Sequence, residues 1–468
     1  MLVWEGLRFF KVLNSYGLVY EALREKKYRL LFKNKTQEPL GFRLCEALKN
    51  LGPTFVKLGQ MLATRPDVVS KDVAQALTTL QDRMPPFSGD IAVAIVEKEL
   101  GDSIETLFAE FDRVPVASAS IAQVHKARLI NGESVAVKVL RPNIEADFAR
   151  DVALFFKMAR FVEKAVPRLH RFKPKEVVHF LQECLSMETD LRLEGSAASK
   201  FRKNFEGNLD LLVPKVHWSH TARRVLTLSW IDGVRIDNKG ALLEKGLDPE
   251  ALLKKASVIF FTQVFEHGYF HGDLHPGNVF VTDAGQIAVM DFGIMGSLSL
   301  ERRKYLADLF HAFIVGDYDK VADLHFDTGI VDTTKSRALF AAMARSVGEP
   351  MLERPMRDVS LARLLGQVFE LTEHFQLQNQ VDLLLVHKNM MLSEGIGKVL
   401  NPDVNMWQLA RPHIVAWMKR KNSPRQKIKD VIVTLETTLH HLQSSIRARD
   451  EWFQAQRHPE RSRPVSGS

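Results

Sequence analysis

His271-Gly272-Asp273-Leu274-His275-Pro276-Gly277-Asn278, followed thirteen residues later by Asp291-Phe292-Gly293, is the stretch whose reading decides the fold. Val279 to Thr282 and Gln286 to Met290 are short apolar-rich runs on either side of Asp283-Ala284-Gly285, a pattern that predicts a hairpin. The hairpin sets Asn278, just before its first strand, beside Asp291, just after its second. An acid, an amide and a second acid then meet on one strand-loop-strand segment. Phosphoryl transfer from a nucleotide needs positioning and charge neutralisation more than covalent chemistry. Asp273 is placed to orient a nucleophile, and Asn278 and Asp291 supply the hard oxygen ligands that Mg²⁺ prefers when it also holds phosphates. An Asp-x-x-x-x-Asn loop alone is a weak signal, because Asp and Asn serve ordinary turns. Loop, hairpin and Asp-Phe-Gly together are specific.

A second requirement of that chemistry is met upstream. Ile121 to Leu129 and Ser134 to Leu140 read as two strands joined at Asn131-Gly132, a dipeptide suited to a two-residue turn. Val135, Val137 and Val139 share one face of the second strand, while Ala136 and Lys138 take the other. Lys138, in Val135-Ala136-Val137-Lys138, therefore projects from a strand as a phosphate-gripping lysine does. The loop before the hairpin is unusual. A glycine-rich loop would let backbone amides approach phosphates, yet Val116-Ala117-Ser118-Ala119-Ser120-Ile121 contains no glycine.

These residues, with Lys57-Leu58-Gly59-Gln60 far upstream, resemble the atypical protein-kinase-like family of UbiB type, also called the aarF-domain kinases, tied to ubiquinone biosynthesis. The resemblance covers roughly residues 40 to 420. It implies an α+β, bilobal protein-kinase-like fold with an N-terminal helical extension packed over the active site. It gives the nucleotide loop to Ala117, Ser118, Ala119 and Ser120, and matches the Lys-x-Gly-Gln signature to Lys57, Gly59 and Gln60. The Glu-x-Asp signature falls on Glu188-Thr189-Asp190, with Glu194 six residues beyond Glu188. ATP and Mg²⁺ are the implied cofactors. The implied partners are a membrane surface and isoprenoid lipid intermediates or quinone-biosynthesis enzymes. The implied location is cytoplasmic, peripheral on the inner membrane.

Two of the signatures also carry a physical reading. Pro53 suits a first helical position, so Thr54 to Thr64 reads as a helix with Lys57 and Gln60 on one face. A polar pair on an otherwise apolar helix needs a polar destination, which in the family is the active-site cleft. Residues Pro174 to Phe205 read as one long helical stretch on which Asp190 and Glu194 face the same way. By analogy with kinases, Glu194 is the expected ion-pair partner of Lys138, leaving Glu188 and Asp190 to meet Lys57 or a metal. Glu188 stays open as the partner of Lys138 in some states. Gly195 stands where the family usually has alanine and loosens a helix by about 1 kcal/mol. Val225 to Gly233 reads as a strand running into the hinge between lobes, with Trp230 packing into the core.

Composition bounds the rest. A chain of 468 residues suits two or three packed units. The net charge of +8 fits anionic partners such as nucleotide phosphates or acidic lipids, but is too mild and dispersed for nucleic acid. Cys45 and Cys184 have neither metal spacing nor a disulfide framework, and both suit small buried positions in a reducing setting. No run of 18 uncharged apolar residues predicts a spanning helix. Aromatic and basic residues alternate through residues 1–32 and suit either an interfacial helix or packing on the core. The expected organisation is a helical extension over 1–112, a small lobe with an inserted helix over 113–235, a helical large lobe with further helix over 236–448, and a disordered polar tail over 449–468. Lys388, Glu394 and Gly397 fall in a helical stretch where packing is the expected role. Three functions fit: a kinase-like ATPase, a small-molecule kinase of the aminoglycoside or choline kinase type, and a nucleotide-binding scaffold. The Lys57 helix disfavours the second, and intact Lys138, Asp273, Asn278 and Asp291 disfavour the third.

Overall fold

The computed structural model describes residues 38–63, 84–165, 173–352, 381–403 and 406–421, with isolated positions at 11, 12, 15, 16, 73, 76, 77, 80, 371 and 375. Apart from four of those positions, the expectations for residues 1–32, 422–448 and 449–468 fall outside the described residues. Helices α1 (Leu40–Leu51) and α2 (Pro53–Ala63) meet at Gly52, whose φ of +116° favours glycine. Thr54, buried in the first turn of α2, donates its hydroxyl hydrogen bond to Asp151.

Helix α3 (Gly89–Leu100) is opened by the Ser88 hydroxyl, which accepts from Asp90 N, and closed by left-handed Gly101. A single turn, α4 (Ile104–Leu107), leads directly into strand β1 (Phe108–Phe111). Residues 108–111 therefore depart from the expected helical extension. β1 pairs antiparallel with β3 (Ala122–Leu129), and α3 lays Ala92, Val93 and Val96 against the valine face of β4 (Ser134–Leu140). α3 and β1 thus pack onto the small-lobe sheet, whose valine face needs an apolar cover.

Strand β2 (Ala117–Ser118) adds to β3, and β6 (Val225–Ser229) to β4, completing a five-stranded antiparallel sheet. The β3–β4 connection is not the expected two-residue turn. Gly132 N donates to Leu129 O (2.8 Å) at φ +87°, and Leu129 N bonds Glu133 O (2.9 Å), giving a three-residue loop with a glycine bulge. The same wiring recurs at Gly285, where Gly285 N donates to Thr282 O at φ +72°.

Between β4 and β6 run α5 (Ile144–Ala165), α6 (Pro174–Glu188), α7 (Leu191–Asn204) and the short strand β5 (Leu211–Leu212). The single helix expected over 174–205 is thus two. Thr189 bonds back to Leu185 O and Ser186 O, closing α6, and the Asp190 carboxylate accepts from Arg192 N, opening α7. Local side-chain bonding to the backbone has outcompeted a continuous helix.

Beyond β7 (Val234–Arg235), α8 (Lys239–Glu244) precedes α9 (Pro249–Phe261), which has an Asp248 cap and Pro249 in its first turn. α9 ends in a wide π turn over Thr262–His267, whose carbonyls at Phe265 and Glu266 accept from Arg303 (3.1 and 2.8 Å). There follow β8 (Tyr269–His271), β9 (Val279–Val281), β10 (Ile287–Val289) and β11 (Met295–Ser297). The expected β9–β10 hairpin forms and joins β7 and β5 in one sheet, while β11 pairs with β8. Helices α10 (Leu300–Val315, capped by Ser299), α11 (Tyr318–Asp327), α12 (Arg337–Leu352), α13 (Val381–Leu400) and α14 (Met406–Lys421) complete the described large lobe. One continuous apolar core includes Phe55 of α2, Phe201 of α7, Phe292 after β10 and Trp417 of α14. Cys45 is buried and Cys184 only half-buried, and neither forms a disulfide.

Candidate active site

The antiparallel register places Val124, Lys138 and Leu226 side by side on the sheet face opposite the valines. α7 packs on this face so closely that a Cβ at Gly195 would lie 3.1 Å from Leu226 Cδ1 and 3.3 Å from Trp218 Cη2. Glycine there draws Glu194 over the strand. The expected ion pair forms: Lys138 Nζ is 2.8 Å from both Glu194 carboxylate oxygens and 3.4 Å from Asp291 Oδ1. Burial works against the Lys138 charge, but Asp291 and Glu194 overturn it and hold the ammonium above the ordinary lysine range. Burial likewise raises the Glu194 carboxyl. The Lys138 ammonium holds Asp291 well below the usual carboxylate range, with smaller help from His271 and Lys57.

Asp291 adopts φ +59°, a left-handed geometry that Asp tolerates, and its Oδ1 also accepts from Gly293 N (3.3 Å). The backbone beneath it is tied to the Asp273 loop through fully buried His271. His271 Nε2 donates to Asp291 O at 2.6 Å, and Nδ1 accepts from Asp273 N at 3.0 Å. Burial lowers the imidazole's pKa, consistent with the neutral tautomer those two bonds require. Gln263, from the π turn, fixes the His271 backbone by accepting from its N–H at 3.0 Å.

Pairing of Val279 with Val289 brings Asn278 and Asp291 to the same end of the hairpin, where Met290 N donates to Asn278 O (2.9 Å). Asn278 Nδ2 donates to Asp273 O at 3.2 Å, so its amide oxygen is the end left to act as a ligand. An amide oxygen and a strongly ionised carboxylate fit a hard divalent cation. Among the described residues no three His, Cys, Asp or Glu side chains cluster for a metal, so Asn278 and Asp291 alone would leave a cation's other positions to phosphates and water.

The glycine-free loop is latched from outside. Arg141 donates to Ala119 O (2.9 and 3.1 Å), Ser118 Oγ (2.9 Å) and Pro85 O (2.8 Å). Ser118 and Ala117 are fixed by pairing with β3, and Ala119 N donates to Ala122 O (2.8 Å). The Ser120 hydroxyl is buried without a hydrogen-bond partner.

Lys57 Nζ lies 3.1 Å from Glu188 Oε2, both side chains largely buried, so α2 is tied to the end of α6 at the cleft. Gln60, on the same helix, donates to Leu80 O (3.2 Å). Asp190 does not reach Lys57. Its carboxylate caps α7 and bonds Arg192 at 2.6 Å, and that bond lowers its pKa. Trp230 is half-buried at the hinge rather than core, with Lys126 Nζ 4.6 Å from its ring centroid and its Nε1 donating to Asp232 (2.8 Å).

Near Asp273, one residue was read as packing and another was not singled out in the sequence. Lys388 of α13, assigned to packing, places Nζ 2.7 Å from Asp273 Oδ1. Fully buried Asn389 donates to His271 O (2.6 Å) and accepts from Leu274 N (3.0 Å). A signal existed: Lys388-Asn389 interrupts an apolar run, the same pattern that singled out Lys57 and Gln60. Arg141 offers no such signal, because an arginine after a strand is commonplace.

Comparison with known proteins gives two family matches: the ABC1 atypical kinase-like domain over residues 79–325 and the UbiB helical domain over residues 344–405. The chain is 40% identical over 417 residues to the probable protein kinase UbiB of Pseudomonas aeruginosa, covering 88% of this chain and 78% of that protein. It is 42% identical over 427 residues to the probable protein kinase UbiB of Xanthomonas oryzae pv. oryzae, covering 89% and 77%. Among solved structures, the Rv3197–erythromycin complex from Mycobacterium tuberculosis aligns with a TM-score of 0.54 at 24% identity, covering 75% of this chain and 90% of that one. That likeness supports the kinase-like fold.

Proposed function

This chain belongs to the UbiB family of ABC1 atypical kinase-like proteins, linked to ubiquinone biosynthesis, and we propose that it is an ATPase whose hydrolysis cycle serves that pathway at a membrane surface. One observation carries the reading: Lys138 bonded to Glu194 and Asp291 in a cleft that also holds Asp273 and Asn278. Lys138 grips the nucleotide phosphates, and Glu194 fixes its rotamer. Ala117, Ser118, Ala119 and Ser120 cover the phosphates, and the buried Ser120 hydroxyl is a donor without a protein partner there. Asn278 and Asp291 would hold Mg²⁺, which when bound neutralises charge on the phosphate oxygens. Asp273 orients the attacking water and takes its proton. A bond forms from water oxygen to the terminal phosphorus as the bond to the bridging oxygen breaks, and ADP departs with that electron pair.

Water is favoured over a protein acceptor because α2, tied down by Lys57 and Glu188, lies at the cleft where a polypeptide substrate would dock. Among the described residues no helix is long and apolar enough to cross a membrane, so the proposed membrane contact is peripheral. The test is hydrolysis of ATP by the purified chain with and without Mg²⁺. Asp291→Asn should lower Mg²⁺-dependent turnover by about 100-fold or more while the chain stays folded. Undiminished turnover in that variant removes the metal role from Asp291. Mass spectrometry of lipids from a strain lacking the protein should show a stalled quinone precursor; an unaltered quinone profile counts against the pathway.

A further inference from the structure

Asp273, the proton acceptor of the proposed hydrolysis, is held in place by a helix 115 residues further along the chain. We propose that Lys388 is a positioning residue for phosphoryl transfer: from α13 it fixes Asp273 Oδ1, so that Oδ2 is the oxygen presented to the nucleophile. The proposal rests on the ATPase reading above and deepens it.

The loop does not supply this contact itself. His275, two residues after Asp273, has Nε2 4.0 Å from Asp273 Oδ2, and its Nδ1 accepts from Gly277 N at 2.9 Å, which fixes the ring as a cap for the following turn. A Cβ at Gly277 would lie 2.8 Å from His275 Nδ1, so the ring and the turn are packed against each other. Among the described residues, Lys388 Nζ, at 2.7 Å, is the cation within hydrogen-bonding range of the Asp273 carboxylate.

Its mount is rigid. Asn389, the next residue of α13, is fully buried and clasps His271 O and Leu274 N, the backbone groups on either side of Asp273. Val386, Ile396 and Leu400 anchor the same helix in the main core. A carboxylate free to rotate about its terminal torsion presents either oxygen in many orientations, whereas one held by a fixed ammonium presents one. The water that Oδ2 orients then lies near a stationary positive charge as negative charge moves on the phosphoryl group.

A stabilising role alone would be weak. The Lys388 and Asp273 side chains are 37% and 29% exposed, and pairs so open to solvent contribute little to folding. Turnover and stability therefore separate the two roles. The experiment measures steady-state hydrolysis of Mg²⁺-ATP by the full-length chain, by Lys388→Met and by Lys388→Arg. ADP titration counts competent sites, and urea unfolding monitors the fold. The expected result for Lys388→Met is a kcat lower by about 100-fold, with the ATP KM, the number of ADP sites and the unfolding midpoint unchanged. Lys388→Arg, which keeps the charge, should recover roughly 10-fold of that loss. A parental kcat in Lys388→Met overturns the proposal. So does a joint loss of kcat, ADP sites and stability, or an arginine variant no better than methionine. A parent chain without turnover overturns the ATPase reading and this inference together, whereas an active parent with unaffected variants overturns the inference alone.

Discussion

Glu194 is 8% exposed; burial pushes its carboxyl pKa up, Lys138 at 2.8 Å opposes that, and the Asp291 charge just beyond adds to the rise. Lys138→Met would leave that carboxylate without its counter-ion. Breaking a buried pair from one side costs about 3–5 kcal/mol. The cost should depend on pH in a set direction. Burial raises the folded-state pKa of Glu194 above its unfolded value, and losing Lys138 raises it further. A group with a raised folded pKa stabilises the fold below its unfolded pKa, and that contribution is lost as pH rises through the folded value. The stability deficit of Lys138→Met should therefore be smaller near about pH 5.5 than near about pH 8, read as the difference in urea midpoints from the parent. A deficit equal at both pH values would mean that Glu194 finds another cation or water.

Two glycines on helices far apart in the chain make opposite demands. In α2 a Cβ at Gly59 would stand 2.7 Å from Leu48 Cδ1 and closer still to Leu80, both in the core, so a larger residue must displace these leucines or the helix. Gly59→Ala should lower stability by about 1–3 kcal/mol through overpacking, beyond the roughly 1 kcal/mol that alanine returns in helix propensity. In α7 the contacts at Gly195 are 3.1–3.5 Å and include Trp218, which is half exposed and free to yield. Gly195→Ala should fall within about 1 kcal/mol of the parent; thermal midpoints of the two variants check both statements, and a larger loss at Gly195 than at Gly59 would contradict them. Elements of this kind set the limit of sequence reading here. The β3–β4 and β9–β10 hairpins and the Lys138 face were legible because period-two valines and turn residues act locally. The break at Thr189-Asp190 carried a local signal too, but helical periodicity on both sides masked it. Phe108–Phe111 was taken for helix because its strand character comes from pairing with β3, distant in sequence. The contacts of Arg141 with Pro85 and of Asn389 with the Asp273 loop are set by tertiary packing, to which chain patterning is blind.

Across the whole molecule, three segments far apart in sequence converge on one cleft, and the Lys57–Glu188 ion pair joins the first of them to the second. It links α2 of the N-terminal extension to the end of the helix inserted in the small lobe, with side chains 14% and 17% exposed. Lys57 also contributes to the depressed pKa of Asp291, so the extension is sensed electrostatically at the proposed metal ligand. Were the extension merely resting on the lobes, removing either partner would cost no more than an exposed surface pair. A pair this sheltered should instead show a coupling of roughly 1–2 kcal/mol in a double-mutant cycle of Lys57→Ala and Glu188→Ala, measured by urea unfolding. Exposed charges are screened by salt and sheltered ones much less. The coupling should therefore survive when NaCl is raised to about 1 M, where the Debye length is about 3 Å. A coupling that vanishes in salt would place α2 on the surface of the kinase-like core, and the cleft would then be open to the polypeptide substrates that the proposed ATPase activity excludes.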